Sequence, residues 1–275
     1  MRASGRARSI GRTHVITWTR ALLESGPAQT LLAMAAAILL WEAAVVLFDV
    51  RAYILPAPSK VLQAAIRFQA QLLAAAAYTA QSMLIGYLLA VVSGILLAVP
   101  VAFSTLMQRT VYPLLVISQL VPKVALAPLF VIWFGFGLTP KIMIVFLLSF
   151  FAIVLNGIVG LRSLDPDIVN LTRSTGARPI DVFFKVRLPS ALPYFFAGFK
   201  LAAVSAAIGA VIGEFIGSDG GLGYVILTAN GALRTDYSFA AITAVTLLGL
   251  ALYYTVELLE RLLVPWHVSQ RGGEG

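Results

Sequence analysis

Glu42, Lys123, Lys200 and Glu214 are charged side chains set inside long apolar stretches of this 275-residue chain. Lys123 is the sharpest of them. An ammonium near the centre of a membrane helix costs about 2.5–3.5 kcal/mol on insertion scales, so it has to face protein or a water-filled path. It stands between two prolines in VPKVALAPLF. Prolines at membrane depth free backbone carbonyls, which are tolerated only beside protein or a cavity. The chemistry on offer is electrostatic: Pro122, Lys123 and Pro128 could line a path and attract an anionic or carbonyl-rich solute. An internal ion pair, for example with Glu42 or Glu214, is the other reading and the commoner arrangement. Glu214, near the outer end of its stretch, reads as a gate or contact residue on that path, or as an interfacial structural group. Lys200 reads as a snorkelling side chain near the cytoplasmic end, and Glu42 is assigned no role. Covalent chemistry is not in view. The chain has no cysteine, His14 and His267 fall outside the apolar stretches, and no paired aspartates or serine with a base stand out. No catalytic, cofactor-binding or metal-ligating residue is therefore expected.

The elements that hold these residues are long and apolar. The chain is 60% hydrophobic and only 12% charged, against about 25% charged in a soluble domain. It reads as an all-α integral membrane protein with six spans of roughly 20 residues: Thr30–Phe48, Thr79–Phe103, Val111–Phe134, Ile142–Val159, Leu192–Ile216 and Phe239–Leu259. Ser59–Ala77 mixes apolar and polar positions and reads as an amphipathic helix lying on the membrane. Arg109 marks a short turn. Residues 1–29 form an Arg-rich arm, 30–265 the membrane domain and 266–275 a polar tail. With the N-terminus inside, thirteen basic residues fall on inner segments and five (Arg51, Lys60, Arg67, Lys141 and Arg234) on outer ones. That bias makes both termini cytoplasmic. The net charge of +8 is explained by this pattern, and no nucleic-acid motif accompanies it. In the fifth span Gly209, Gly213 and Gly217 recur every four residues, which allows close helix packing or a moving contact beside the path.

The longest polar interruption after the N-terminal arm is the basic insert Arg162–Pro193, RSLDPDIVNLTRSTGARPIDVFFKVRLPSALP. Asp165 suits an N-cap and Pro166 the first helical position. The first helix, Pro166–Thr175, stops at Gly176, a natural residue for a left-handed C-terminal turn. A second short helix, Ile180–Val186, follows Pro179, and Pro189 and Pro193 break the chain before the fifth span. Phe183, Phe184 and Val186 anchor the pair to the bundle, leaving Ile168 and Leu171 for a partner. Read from the residues alone, the insert is either such a docking element or a solvated loop that only sets topology.

GARPIDVFFKVRLPSALP resembles the cytoplasmic EAA loop of bacterial ABC importer permeases, a pattern of Glu-Ala-Ala, Gly, an aliphatic residue and Leu-Pro at fixed spacings. Gly176, Val186, Leu188 and Pro189 fall on it, with Ala177 beside the glycine. The Glu-Ala-Ala positions are Asn170, Leu171 and Thr172, a departure that bears on any salt bridge from the glutamate. LPAPSKVL, VPKVALAPLFVIWFGFG, NGIVGLRSLDPDIV and GGLGYVI extend the resemblance from about Trp41 to Trp266. They look like the nitrate/sulfonate/taurine-type permeases, a group similar to permeases for thiamine-precursor pyrimidines and riboflavin. The resemblance implies a type I (MetI-like) permease fold in the bacterial inner membrane, working by alternating access as a homodimer. It implies two ATP-binding cassette ATPases on the insert and a periplasmic or lipid-anchored substrate-binding protein outside. No cofactor would sit in this chain. It has no G-x-x-x-x-G-K-[ST] loop, so ATP and Mg would be bound by the partner ATPase. A self-contained secondary carrier or channel is the alternative.

Overall fold

A computed structural model describes residues 26–266, and every regular element among them is helical. In chain order these are α1 (Gly26–Leu47), α2 (Pro58–Arg67), α3 (Gln69–Phe103), α4 (Thr105–Ser118), a 3-10 turn at Lys123–Leu126, α5 (Ala127–Phe134) and α6 (Leu138–Arg162). The insert supplies α7 (Pro166–Ser174) and α8 (Pro179–Val182). Then come α9 (Leu188–Gly217), α10 (Leu222–Gly231) and α11 (Thr235–Leu263).

The close approaches of glycines set the helix directions. Along α3 and α6, Gly86 meets Val145, Gly94 meets Ile153 and Ala98 meets Gly157, so the two helices run parallel. Along α6 and α9, Gly160 meets Tyr194, Gly198 meets Ala152 and Gly213 meets Lys141, so these run antiparallel. Without a side chain at those positions the backbones come close enough to share packing along their whole length. The core lies where α3, α6, α9 and α11 meet, around Met83, Val145, Ile153, Ala203, Ala206 and Val256. A second cluster, Val101, Phe151, Val154, Ile158, Leu161 and Phe195, fills the end of the bundle beside the insert. α1 lies at the periphery, with Leu31, Leu32, Ile38, Leu39 and Leu40 all exposed, as a lipid-facing helix should be.

The sequence-based boundaries need five corrections. The surface helix is shorter than Ser59–Ala77. It ends at Arg67, where Phe68 leaves helical geometry, and the glutamines that follow open α3. α3 is therefore 35 residues, about 52 Å at 1.5 Å per residue. It projects beyond a hydrocarbon core of about 30 Å. The turn placed at Arg109 occurs at Ser104, whose hydroxyl accepts from Met107 N at 3.3 Å and caps α4.

The third span is not continuous. α4 and the Lys123–Phe134 segment meet at 85°. Pro122 cannot donate to the preceding turn, and Pro128, expected to disrupt a helix, instead opens α5 in its first turn. Because α3 and α6 are parallel, the chain between them has to return across the bundle, so the bent pair is one broken crossing. With the five long apolar helices this makes six crossings.

The last correction lies at the end of the insert. Pro189 and Pro193 do not break the chain. α8 runs through a wide π turn at Phe183–Arg187 into α9, with Pro189 in the first turn and Pro193 inside. The extra residue of a π turn relieves the clash a proline would otherwise make with the carbonyl four residues back.

Candidate functional site

The insert closes one end of the bundle. Asp165 Oδ1 accepts from Asp167 N at 2.9 Å and starts α7. Gly176 takes φ +81°, and a Cβ there would meet nothing within 4 Å, so conformation and not space asks for glycine. Val169 and Val182 are buried and fasten the two short helices. Phe183 packs edge-on against Phe103 with centroids 5.7 Å apart, and Arg187 stacks over the same ring at 4.9 Å. Phe184 does not anchor as expected: it is 56% exposed, because the π turn rotates it outward. Ile168, Leu171 and Ile180 also face out, as do Asn170 and Pro179. Thr172 turns back onto the Ile168 and Val169 carbonyls at 2.9 Å. Asn170 borders a cavity of about 300 Å³ with Arg162, Val169 and Arg187. Ala177, Leu188 and Pro189 are half-buried. The result is an apolar, hydrogen-bond-capped ledge on a basic rim.

Midway along the bundle lies the broken crossing. Lys123 is half-buried, with Nζ 4.7 Å from the centroid of Phe151, one residue past the middle of α6. Neither carboxylate proposed as its partner pairs with it. Glu42 accepts from Ser59 N at 2.9 Å and Ser59 Oγ at 2.7 Å, so it caps α2 and ties α1 to it. Glu214 accepts from Gly223 N at 2.6 Å. Among the described residues no carboxylate lies within 4 Å of Lys123. The ammonium rests on an aromatic face, which attracts it without neutralising it. Pro122 and Pro128, on either side of it in sequence, are exposed.

Lys200 is not a simple snorkelling side chain. It pairs with Glu260 of α11 at 2.7 Å, with side-chain exposures of 14% and 5%, and pins α9 to α11. Gly209 and Gly213 lie against α6: a Cβ would come 2.9 Å from Val145 Cα and 3.0 Å from Lys141 Cα. Gly217 faces Val131 of α5 and Phe136.

At the end opposite the insert is a polar cluster that sequence reasoning missed. Lys141, counted only as an outer topology residue, is fully buried. Its Nζ donates to Tyr78 Oη at 2.9 Å and Ser218 Oγ at 2.8 Å. Glu214 is equally buried and lies under the loop 218–223. One sequence signal pointed there: a cation in the first turn of a helix opposes the helix dipole, and this one lies on the side where basic residues are scarce.

The geometry is that of a membrane-spanning scaffold with a ledge at one end and a charged break at mid-depth. The family described as "Binding-protein-dependent transport system inner membrane component" matches residues 86–266, more than half of the chain. A "Probable ABC transporter permease protein" of Haemophilus influenzae is 34% identical over 239 residues, covering 86% of this chain and 97% of the relative. The formylaminopyrimidine transport permease protein of Halalkalibacterium halodurans is 35% identical over 219 residues, 79% of this chain and 88% of its own. The taurine transport system permease protein of Escherichia coli is 30% identical over 184 residues, 66% and 67% of the two chains. With the ledge, the six crossings and these matches together, the chain belongs to the binding-protein-dependent transport system inner membrane components and is a multi-pass ABC importer permease.

Proposed function

We propose that this permease works as a homodimer by alternating access, with two ATP-binding cassette ATPases seated on the two insert ledges. A periplasmic or lipid-anchored binding protein delivers solute at the opposite end. The insert side is cytoplasmic, because thirteen basic residues fall on that side against five on the other. In this reading both termini are cytoplasmic too, which an even number of crossings supports. ATP and Mg belong to the partner ATPases, whose closure would push on the ledge of Asp165, Asn170, Leu171, Thr172, Gly176, Ala177, Leu188 and Pro189. No covalent step falls to this chain.

The observation that carries the substrate reading is the Lys123 ammonium, held over Phe151 without a carboxylate. A cation beside an aromatic face suits a small, planar, carbonyl-bearing ring, and the formylaminopyrimidine permease aligns with most of both chains. We therefore favour a pyrimidine-type solute. A sulfonate is the second reading, favoured by the same uncompensated charge and the taurine permease. Proteoliposomes holding the permease, its ATPase and its binding protein decide between them. ATP-dependent uptake of labelled formylaminopyrimidine and not of taurine is expected. Taurine uptake alone would select the second reading, and uptake by the permease without any ATPase would overturn both.

A further inference from the structure

The polar cluster opposite the insert joins α3, α6, α9 and the loop leading into α10 through four hydrogen bonds that cross between them. From α6, Lys141 reaches Tyr78 of α3 and Ser218 just beyond α9. It also lies 4.5 Å over the Tyr78 ring. Ser218 Oγ in turn donates to the Gly220 carbonyl and accepts from Gly220 N at 3.2 Å. Thr79 Oγ1, next along α3, accepts from Leu222 N at 2.8 Å and donates to the Ala75 carbonyl at 3.1 Å. Glu214 of α9 accepts from Gly223 N. Two donors at the start of α10 are thus met by side chains from α3 and α9.

Glycine is required at the centre of this arrangement. Gly221 has φ +99°, and a Cβ there would fall within 2.5 Å of the Glu214 carboxyl atoms. At Gly223 a Cβ would lie 2.8 Å from Glu214 Cβ. The loop can lie this close to Glu214 only because these two positions carry no side chain. Lys141, Glu214, Thr79 and Leu222 are all essentially excluded from solvent. Among the described residues no carboxylate comes within 4 Å of Lys141. A buried ammonium that depends on neutral hydroxyls loses its compensation as soon as either hydroxyl moves away. Partial opening is then worse than full closure, and the cluster behaves as one unit.

We infer that Lys141 is a positioning residue of transport. With Tyr78 and Ser218 it locks the loop 218–223 and α10 onto α3, α6 and α9 in every state of the cycle. The opening that admits solute from outside then forms along the exposed faces of this body, not by lifting the glycine-rich loop. The inference rests on the permease reading only for its second half, since the lock is a property of the chain alone.

Amide hydrogen exchange on the full chain in nanodiscs tests the lock at Leu222 and Gly223. Both amides should be protected, with at least a tenfold loss of protection in Ser218→Ala combined with Tyr78→Phe, and recovery in Ser218→Thr, which keeps the hydroxyl. Unchanged protection in the double variant would overturn the lock. Should Lys141→Met fail to assemble, the two hydroxyl variants still decide. Persistence is then read with the partner ATPase bound, nucleotide-free and after vanadate trapping. Equal protection in both states is expected, and a tenfold loss in either would overturn the claim that the loop stays shut. If no ATPase binds, the permease reading fails, while the nanodisc result on the chain alone still stands or falls separately.

Discussion

At the residue scale, the charges inside the bundle separate into compensated and uncompensated ones. Lys200 and Glu260 compensate each other across α9 and α11. Removing one partner of a buried pair costs about 3–5 kcal/mol, whereas replacing both with apolar residues can be neutral. Lys200→Met should therefore lower the thermal midpoint in detergent markedly, and Lys200→Met with Glu260→Leu should recover part of the loss. Lys123 lacks a carboxylate, and its value lies outside stability. Lys123→Met should assemble normally and reduce ATP-dependent uptake at least tenfold. Normal uptake with normal assembly would remove Lys123 from the path. Glu42 was legible as a charge in a span, but its task was not. Its partner Ser59 is 17 positions away, beyond the reach of any local capping pattern.

At the element scale, the insert shows which parts of a local pattern survive folding. The cap at Asp165, the start at Pro166 and the stop at Gly176 were all readable, because each depends on neighbours within three residues. The passage from α8 into α9 was not, because a π turn depends on how Phe183 and Arg187 pack against Phe103. The exposed apolar residues Leu171 and Phe184 should be dispensable for the fold and needed for the partner. Leu171→Glu with Phe184→Asp should leave the stability within about 1 kcal/mol of wild type, as surface substitutions do. The same variant should abolish co-purification of the ATPase. The glycines of α9 lie at the other extreme. Gly213→Leu would drive a side chain into Lys141, and loss of the assembled protein is the expected result, measured by size-exclusion chromatography.

At the scale of the whole molecule, the parallel run of α3 and α6 demands that α4 and α5 recross the bundle. The chain has no cysteine of its own, so single cysteines report sidedness directly. Leu106 and Phe136 are 72% and 81% exposed at the two ends of the bent pair. Leu106→Cys should react with an impermeant maleimide from the side that labels Leu171→Cys. Phe136→Cys should react from the side that labels Asp219→Cys. Labelling of Leu106→Cys and Phe136→Cys from one side would make the pair a re-entrant loop.

Composition, the lengths of the apolar stretches and the asymmetry of basic residues by themselves determined a multi-pass helical protein with a basic insert. Membrane insertion is decided segment by segment, and so it can be read segment by segment. The partners of buried polar groups were settled only in three dimensions. Lys141 meets Tyr78 and Ser218 across 63 and 77 positions of chain, and Lys200 meets Glu260 across 60. In a low-dielectric interior a polar group has to find whichever group the packing brings near. Packing is a property of the assembled bundle and of no single helix.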